Sequence, residues 1–215
     1  YSEKIQQFSI PIDKIKVVSS GVDLKHFSKS KVRERNYFIF IGQLTWRKGL
    51  DVLLTLAEKI EFFKLKIVGD GELAEWLQDE IDNRKLGSRV QFIGSVSRDK
   101  IVNYFHKAKA LVLPSRADAM PLVVLESLSC SVPVIATNVG GIPELVKHRH
   151  TGFIYEVDDL IGFEDAIRII ENDSRLALEL GSNGRKFVEN KFSWEVITTL
   201  FENIYFDDDL ITKQN

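Results

Sequence analysis

The amino-acid sequence predicts an α/β fold, in which a doubly wound parallel sheet is covered by helices on both faces. Six short runs rich in Val, Ile, Leu and Phe alternate with amphipathic stretches of helical period. Strands that alternate with helices pair in parallel, and near-continuous apolar strands are typical of a sheet buried on both faces. Ligands of such folds bind beyond the carboxyl ends of the strands, so a site is expected there.

The individual elements follow from the local patterns, in chain order. Residues 14–35 offer one short strand within KIKVV and then a polar stretch typical of a linker. The six sheet strands are predicted in YFIFIG (37–42), FKLKIVG (63–69), VQFIG (90–94), ALVLPS (110–115), PVIAT (133–137) and GFIYE (152–156). Helical period marks LDVLLTLAEKI, KIVNYFHKA and FEDAIRIIEN. From about residue 157 the strands stop, and helices follow one another through SWEVITTLFENIY.

Composition excludes several classes of protein. A chain of 215 residues with 44% hydrophobic and 28% charged residues is typical of a globular protein rather than a disordered one. Its 29 basic and 31 acidic side chains give a net charge of −2, and no basic stripe is present, so nucleic-acid binding has no electrostatic support. The single cysteine, Cys130, excludes an internal disulfide framework and favours a reducing, cytoplasmic location. Because the amino end has neither a signal-peptide pattern nor an initiator Met, we expect a piece of a longer protein.

The loop after the first sheet strand, GQLTWRKGL, is a candidate phosphate site. Gly42 allows close backbone approach, and Arg47 and Lys48 lie just before a predicted helix whose free amide groups favour an anion. The alternative is that both cations are solvated loop charges.

The segment DAMPLVVLES places two carboxylates, Asp118 and Glu126, at the two ends of an apolar run after the fourth strand. Pro121 suits the start of a helix, and Glu126 would lie about 7 Å inside that helix, in the core. A buried carboxylate needs a partner. Glu126 either pairs with Lys48 or Arg47, with Asp118 capping a turn, or accepts hydrogen bonds from ribose hydroxyls while Asp118 meets the next group of the ligand.

A resemblance to a known family runs through four segments in order: FIGQLTWRKGLDVLL, LKIVGDGE, VQFIGSVSRDKIVNYFHKAKALVLPSRADAMPLVVLESLSCSVPVIATNVGGIPELV and HTGFIYEVDD. They resemble the carboxy-terminal domain of retaining, family-4 glycosyltransferases, which have the two-domain GT-B fold with Rossmann-like halves. The resemblance spans roughly residues 10–206. It implies that residues 1–35 end the amino-terminal domain and form the linker, 36–192 bind the donor, and 193–215 form a crossover helix and polar tail.

The resemblance also assigns roles to residues. The family's E-x7-E acids fall on Asp118, an aspartate where glutamate is usual, and Glu126, so that Asp118 would contact the donor hexose and Glu126 the ribose. Lys48 matches the diphosphate lysine, and the three are the implied catalytic residues. The remaining donor contacts implied are Gly42, Arg47, Val96 at the base, and the segment Ala119, Met120, Pro121 and Leu122. The family's arginine after the first glycine is Gln43 here, and Arg47 is a possible substitute.

The activity implied is transfer of a hexose, with retention, from a nucleoside-diphosphate sugar to an acceptor hydroxyl in polysaccharide or glycolipid synthesis, without a metal or other cofactor. The implied partners are a UDP, GDP or ADP sugar, the absent amino-terminal domain and a sugar or lipid-linked acceptor, with peripheral membrane association of the full-length protein left open. This chain alone is expected to be inactive. The alternatives are a non-catalytic nucleotide-sugar-binding module and a Rossmann-type dehydrogenase domain.

Other motifs are weaker. GDGELA (69–74) formally fits the dinucleotide-binding glycine pattern, but the next strand lacks the acidic residue that holds ribose. Asp207 to Asp209 read as a solvated tail rather than a metal motif, and His148 and His150 as surface residues. Gly140 and Gly141 either let a ligand approach the backbone or make a tight turn.

Overall fold

The structure, a computed structural model, describes residues 15–29 and 34–206. A six-stranded, all-parallel sheet lies at its centre, with the spatial order β3-β2-β1-β4-β5-β6. The strands are β1 (Tyr37–Ile41), β2 (Leu65–Val68), β3 (Val90–Gly94), β4 (Ala108–Leu113), β5 (Val134–Thr137) and β6 (Gly152–Tyr155). The predicted fold class and all six predicted sheet strands are confirmed.

Helices connect the strands and then close the chain. They are α1 (Leu50–Lys59), α2 (Ala74–Asn83), α3 (Arg98–Lys107), α4 (Leu122–Ser129), α5 (Ile142–Leu145), α6 (Leu160–Asn172), α7 (Ser174–Lys191) and α8 (Trp194–Tyr205), with a short 3-10 helix at Trp46–Lys48. α1 packs against α2 and α6, and α4 packs against α7. The sheet therefore has the doubly wound arrangement that the alternation of strands and helices predicts.

The apolar strands form because both faces of the sheet are covered. All five residues of β1 and all four of β5 are buried, as are the last four of β4. A central parallel strand has no solvent face, so a continuous run such as YFIFI replaces the alternation of a half-exposed strand. Strands are added on one side of β1 up to β3 and on its other side from β4 onward, so the strand order reverses between β1 and β4. The loops after these two strands carry most of the predicted site residues.

The short strand predicted within KIKVV is wrong for the part that the structure describes. Residues 15–21 carry no strand, and Val17 is 71% exposed. A strand needs a hydrogen-bonded neighbour, and here only Val22 forms a bridge, to Ser193. The following residues pack on the sheet domain through the buried ring of Phe27, whose edge faces Phe105. The domain boundaries at 35 and 192 stay predictions.

Candidate active site at the carboxyl edge of the sheet

Four loops meet at the carboxyl edge of the sheet. They follow β1 (residues 42–49), β3 (95–97), β4 (114–121) and β5 (138–141). This edge, at the reversal of strand order, is where open α/β sheets bind their ligands.

Lys48 and Asp118 form an ion pair between the first and third of these loops. The Lys48 ammonium donates a hydrogen bond to Asp118 Oδ2, and both side chains are largely buried, with exposures of 14% and 11%. Lys48 ends the 3-10 helix after β1, and Asp118 lies just before α4. The fold thus brings together two predicted site residues that are 70 positions apart in the sequence.

Arg116 holds the Lys48 loop in place, a role that the sequence analysis missed. Its guanidinium donates to both carboxylate oxygens of Asp51, at 2.9 and 2.7 Å, and to the Trp46 carbonyl at 3.2 Å. Its backbone amide donates to the Arg47 carbonyl at 2.7 Å. The hydrogen bonds from Arg116 lower the pKa of Asp51. Because Asp51 stands in the first turn of α1, this network ties the loop to the helix.

Gly140 and Gly141 set the position of the Asp118 loop. Gly140 has φ +54°, and a Cβ there would lie 1.7 Å from the Asp118 carbonyl oxygen. The Gly141 amide donates to the Ala119 carbonyl at 2.7 Å. The close approach that the glycine pair allows is therefore to the protein's own backbone, on the far side of the Asp118 loop.

The start of α4 offers free amide groups beside Asp118. Pro121 occupies the N-cap position, one residue before the predicted one, and no side chain caps the helix. Within the described residues the amides of Leu122 and Val123 donate no hydrogen bond, as is usual in a first helical turn. Ala119 is exposed, and Met120 is half-buried, with its sulfur 2.9 Å from the Ser19 hydroxyl, which donates to it. This helix end is suited to an anion.

Glu126 is buried, as predicted, at 8% exposure. Its Oε1 accepts a hydrogen bond from Arg98 Nη2 at 3.2 Å, whereas its Oε2 accepts none from the described residues. Desolvation raises the pKa of Glu126, while the charges of Arg98 and His26 oppose that rise. A nearly buried carboxylate with one unused oxygen can accept hydrogen bonds from a ligand.

The predicted alternative in which Glu126 pairs with Lys48 or Arg47 is wrong. Lys48 pairs with Asp118 instead, and the Arg47 side chain is exposed, with no hydrogen bond or ion pair to the described residues. The partner of Glu126 is Arg98, at the start of α3, which the sequence analysis missed. Asp118 pairs with Lys48 in the structure, and its contact with a ligand stays a prediction.

Two other predicted contacts lie at the same edge. Gly42 follows β1, and its carbonyl oxygen would be 1.9 Å from a Cβ at Gly69, so the first glycine of GDGELA serves the packing of two loops. Val96, half-buried, lies in the loop between β3 and α3, two residues before Arg98. Gln43 is exposed.

Signals for other chemistry find no support in the described chain. Among residues 15–29 and 34–206, no three His, Cys, Asp or Glu side chains are grouped to hold a metal ion. The His148 ring is engaged with the backbone of Ile154. Asp207 to Asp209 lie outside the described residues. Over the same described ranges, none of the helices is long and apolar enough to cross a membrane.

Comparison with known proteins decides the family. The family model described as "Glycosyl transferases group 1" matches residues 22–187, from the bridge residue Val22 through all six strands to α7. The chain belongs to the group 1 glycosyltransferases. The match includes every residue of the site described above.

Relatives of this glycosyltransferase chain are longer proteins. An uncharacterized glycosyltransferase of Methanocaldococcus jannaschii is 32% identical over 170 residues, which cover 79% of the chain and 48% of that protein. N-acetyl-alpha-D-glucosaminyl L-malate synthase of Bacillus anthracis is 34% identical over 144 residues, covering 67% of the chain and 37% of that protein. The chain thus spans about half, or less, of the length of these curated relatives.

Solved structures agree with the fold of this group 1 domain. A sucrose-phosphate synthase from Thermosynechococcus elongatus superposes with a TM-score of 0.86 at 24% identity, over 99% of the chain and 57% of its own. Anabaena HepE, solved in complex with UDP, gives 0.85 at 20% identity, over 95% and 60%. The C-terminal domain of a group 1 glycosyl transferase from Francisella tularensis gives 0.70 at 21% identity, over 81% and 100%. At these identities the likeness establishes the fold.

Proposed function

We propose that this chain is the donor-binding, carboxy-terminal half of a retaining, family-4 glycosyltransferase of the GT-B type. The carrying observation is the site itself: the Lys48–Asp118 pair, the open end of α4 and the half-used carboxylate of Glu126 all lie at one edge of the sheet. This set offers a cation and free amides for a diphosphate and two carboxylates for hydroxyl groups. A nucleoside-diphosphate sugar carries those groups in one molecule.

Each side chain has a distinct task in this proposal. Lys48 and the amides around Met120 and Leu122 hold the diphosphate, and Glu126 accepts hydrogen bonds from the ribose. Asp118, released from Lys48 when phosphate arrives, turns to the hydroxyls of the hexose. Gly42 and Val96 allow backbone approach to the phosphates and the base. Arg47, exposed and unpaired within the described chain, is free to supply the charge that Gln43 lacks.

The chemistry follows from charge. When the bond between the anomeric carbon and the diphosphate breaks, negative charge grows on the leaving phosphate, and Lys48 with the helix amides stabilises it electrostatically. The acceptor hydroxyl then bonds to the anomeric carbon on the face that the diphosphate leaves, which gives retention, and its proton passes to the departing diphosphate. Glu126 contributes by positioning the donor. In this scheme no metal or other cofactor is needed, because cationic and amide groups of the protein stabilise the leaving group.

Relatives support a nucleotide-sugar donor without fixing its base. HepE has been solved with UDP and with UDP-glucose, and a relative from Mycobacterium tuberculosis is a GDP-mannose-dependent mannosyltransferase, 26% identical over 221 residues. Backbone contacts to a base leave little trace in side chains, so a UDP, a GDP and an ADP sugar are all candidate donors. We further propose a cytoplasmic enzyme of polysaccharide or glycolipid synthesis, completed by an amino-terminal domain that binds the sugar or lipid-linked acceptor.

Calorimetric titration of this chain with UDP, GDP, ADP and NAD tests the proposal, with each titration repeated on Glu126→Ala. We expect one nucleoside diphosphate to bind and the variant to lose that binding while keeping its circular dichroism spectrum. Glu144→Ala, an exposed acid in α5, is the matched control and should bind normally. Binding of NAD alone would instead favour the dehydrogenase reading, and unchanged binding by Glu126→Ala would remove Glu126 from the site. A non-catalytic module would bind equally, so loss of transfer in a full-length Asp118→Ala enzyme separates the two.

A further inference from the structure

Arg98 is the charged residue that meets the buried carboxylate of Glu126. It is the first residue of α3, and its side chain is 61% exposed, yet Nη2 donates to Glu126 Oε1 at 3.2 Å. Among the described residues this is the one ion pair of Glu126. The guanidinium also lies over the ring of Phe27, 5.6 Å from the ring centre. The side chain is therefore held by two contacts while most of it faces water.

The backbone of Arg98 is also held by a contact, which fixes the base of its side chain. The Arg98 carbonyl oxygen lies 3.3 Å from Nε2 of His26. His26 packs edge-on against Phe27, with 4.7 Å between ring centres, and Phe27 is fully buried. Residues 23–27, α3 and α4 thus meet around the Glu126 carboxylate. Ser97 and Val96, immediately before Arg98, form the loop for which a base contact is proposed.

The other titratable groups near Glu126 are few. Arg98 faces it from α3 and His26 from the segment before β1, and both favour its ionised form. Cys130 follows at the end of α4, and its pKa is raised to about 12 by burial, so it stays neutral. Arg185 of α7 donates to the carbonyl of Ser129, the last residue of α4, and Arg35 donates to the Ser131 carbonyl just after that helix. Arg98 is the closest cation and the one in direct contact.

We propose that Arg98 is a positioning residue for nucleotide binding, which holds Oε1 of Glu126 so that Oε2 accepts the ribose hydroxyls and which keeps the carboxylate charged while the ligand covers it. This inference rests on the proposed function, since it assigns Glu126 to the ribose. The single hydrogen bond from Arg98 leaves one carboxylate oxygen of Glu126 free, whereas a bidentate arginine–carboxylate pair would occupy both oxygens. Ligand binding removes the remaining water from Glu126, so the cation becomes more important in the complex than in the free protein.

If the Arg98–Glu126 pair were purely structural, loss of Arg98 would lower folding stability and not nucleotide affinity. Ion pairs with one largely exposed partner contribute little to folding stability, because solvent screens them. Removing Arg98 should therefore leave the melting temperature nearly unchanged. Its effect should appear in nucleotide affinity and in the pH dependence of that affinity.

The test is a double-mutant cycle on this chain, measured by calorimetry with whichever of UDP, GDP and ADP binds the wild type. We expect Arg98→Ala to weaken binding about tenfold and Arg98→Lys to recover part of the loss. Arg98→Ala combined with Glu126→Gln should bind no more weakly than Glu126→Gln alone, because the two act as a unit. Lys100→Ala removes an exposed charge from the same helical turn and should change nothing.

The pH dependence supplies an independent readout. The ratio of wild-type to Arg98→Ala affinity, which cancels the ligand's own titration, should grow as pH falls from 8 towards 5.5, because Glu126 without its cation is protonated at a higher pH. A His26→Gln background removes the other charged neighbour named for Glu126 and should keep the same trend. Wild-type affinity in Arg98→Ala, with binding weakened in Glu126→Gln, would overturn this inference and leave the proposed function intact. Wild-type affinity in Glu126→Gln, or no binding by the wild type, would overturn both.

Discussion

Glu126 is a residue whose burial opposes stability. Desolvation raises the pKa of its carboxyl group, so the ionised form is less favourable in the folded chain than in water. A group that costs stability and leaves an oxygen unused is typical of a binding site rather than of a structural core.

Replacement of Glu126 by Gln should therefore stabilise the empty protein at high pH. Because the folded-state pKa lies above the ordinary value of 4.5, the wild type loses stability as pH rises from there through the folded-state pKa. Relative to wild type, Glu126→Gln should gain about 2–4 °C in melting temperature at pH 8, and the gain should vanish near pH 4. Thermal unfolding followed by circular dichroism across this range measures it, and a lower melting temperature of the variant at pH 8 would show that the carboxylate is structural.

The Lys48–Asp118 pair should separate the phosphate role from the sugar role. Lys48→Met removes a charge-assisted hydrogen bond and should weaken nucleoside diphosphate binding by about 2 kcal/mol, or about thirtyfold. Asp118→Asn removes the competing carboxylate and should leave that binding unchanged or tighter. Calorimetry on both variants checks this, with Lys64→Met, an exposed lysine beside β2, as the control. Equal losses in Asp118→Asn and Lys48→Met would mean that the pair acts only through folding.

At the scale of elements, the loops are held in place by backbone contacts. Gly140 has a left-handed backbone conformation, and the Asp118 carbonyl oxygen occupies the position that a Cβ atom would take. Gly49, at φ +69°, meets the Pro114 carbonyl oxygen in the same way. The two glycines bring the loops after β1, β4 and β5 within reach of one another, so that side chains from different crossovers form one site.

Gly140→Ala should consequently damage both stability and binding. The left-handed conformation costs a non-glycine residue about 1–2 kcal/mol, and displacement of the Asp118 loop adds to that cost. We expect a clearly lower melting temperature and weakened nucleotide binding. Gly87→Ala is the control, because a Cβ there meets nothing within 4 Å, and it should be nearly neutral. Full nucleotide affinity in Gly140→Ala would show that the Asp118 loop can move without harm to the site.

The elements were predictable from sequence because their signals are local. A continuous apolar run predicts a buried parallel strand, and all six strands of the sheet were predicted on that basis. Arg98 and Arg116 were not found, since their partners lie 28 and 65 positions away and depend on how α3 and α1 pack. The KIKVV segment misled for a related reason: β-type residues predict a strand only where a neighbouring strand exists.

At the scale of the whole molecule, α8 exposes apolar side chains to solvent. Within α8, only Ile197 is buried, whereas Leu200 and Phe201 are 42% exposed and Tyr205 is 73% exposed. Apolar surface of this kind marks a contact with another domain or protein. The chain spans about half the length of the relatives it matches, and in the proposed function the amino-terminal domain is that contact.

The isolated chain should therefore bind the donor but not transfer its sugar. The Lys48–Asp118 site lies on an open sheet edge, and Arg116, Ala119 and Gly140 around it have solvent access. Transfer with retention requires an acceptor hydroxyl held on the face of the anomeric carbon from which the diphosphate leaves, with water kept away. In the proposed two-domain enzyme the second domain would supply both. Release of nucleoside diphosphate from the matching nucleotide glucose, mannose and N-acetylglucosamine should stay at the background rate of Glu126→Gln. The same assay on the proposed two-domain protein should show turnover with acceptor. Transfer by the isolated chain at the full-length rate would mean that these 215 residues hold the acceptor site as well.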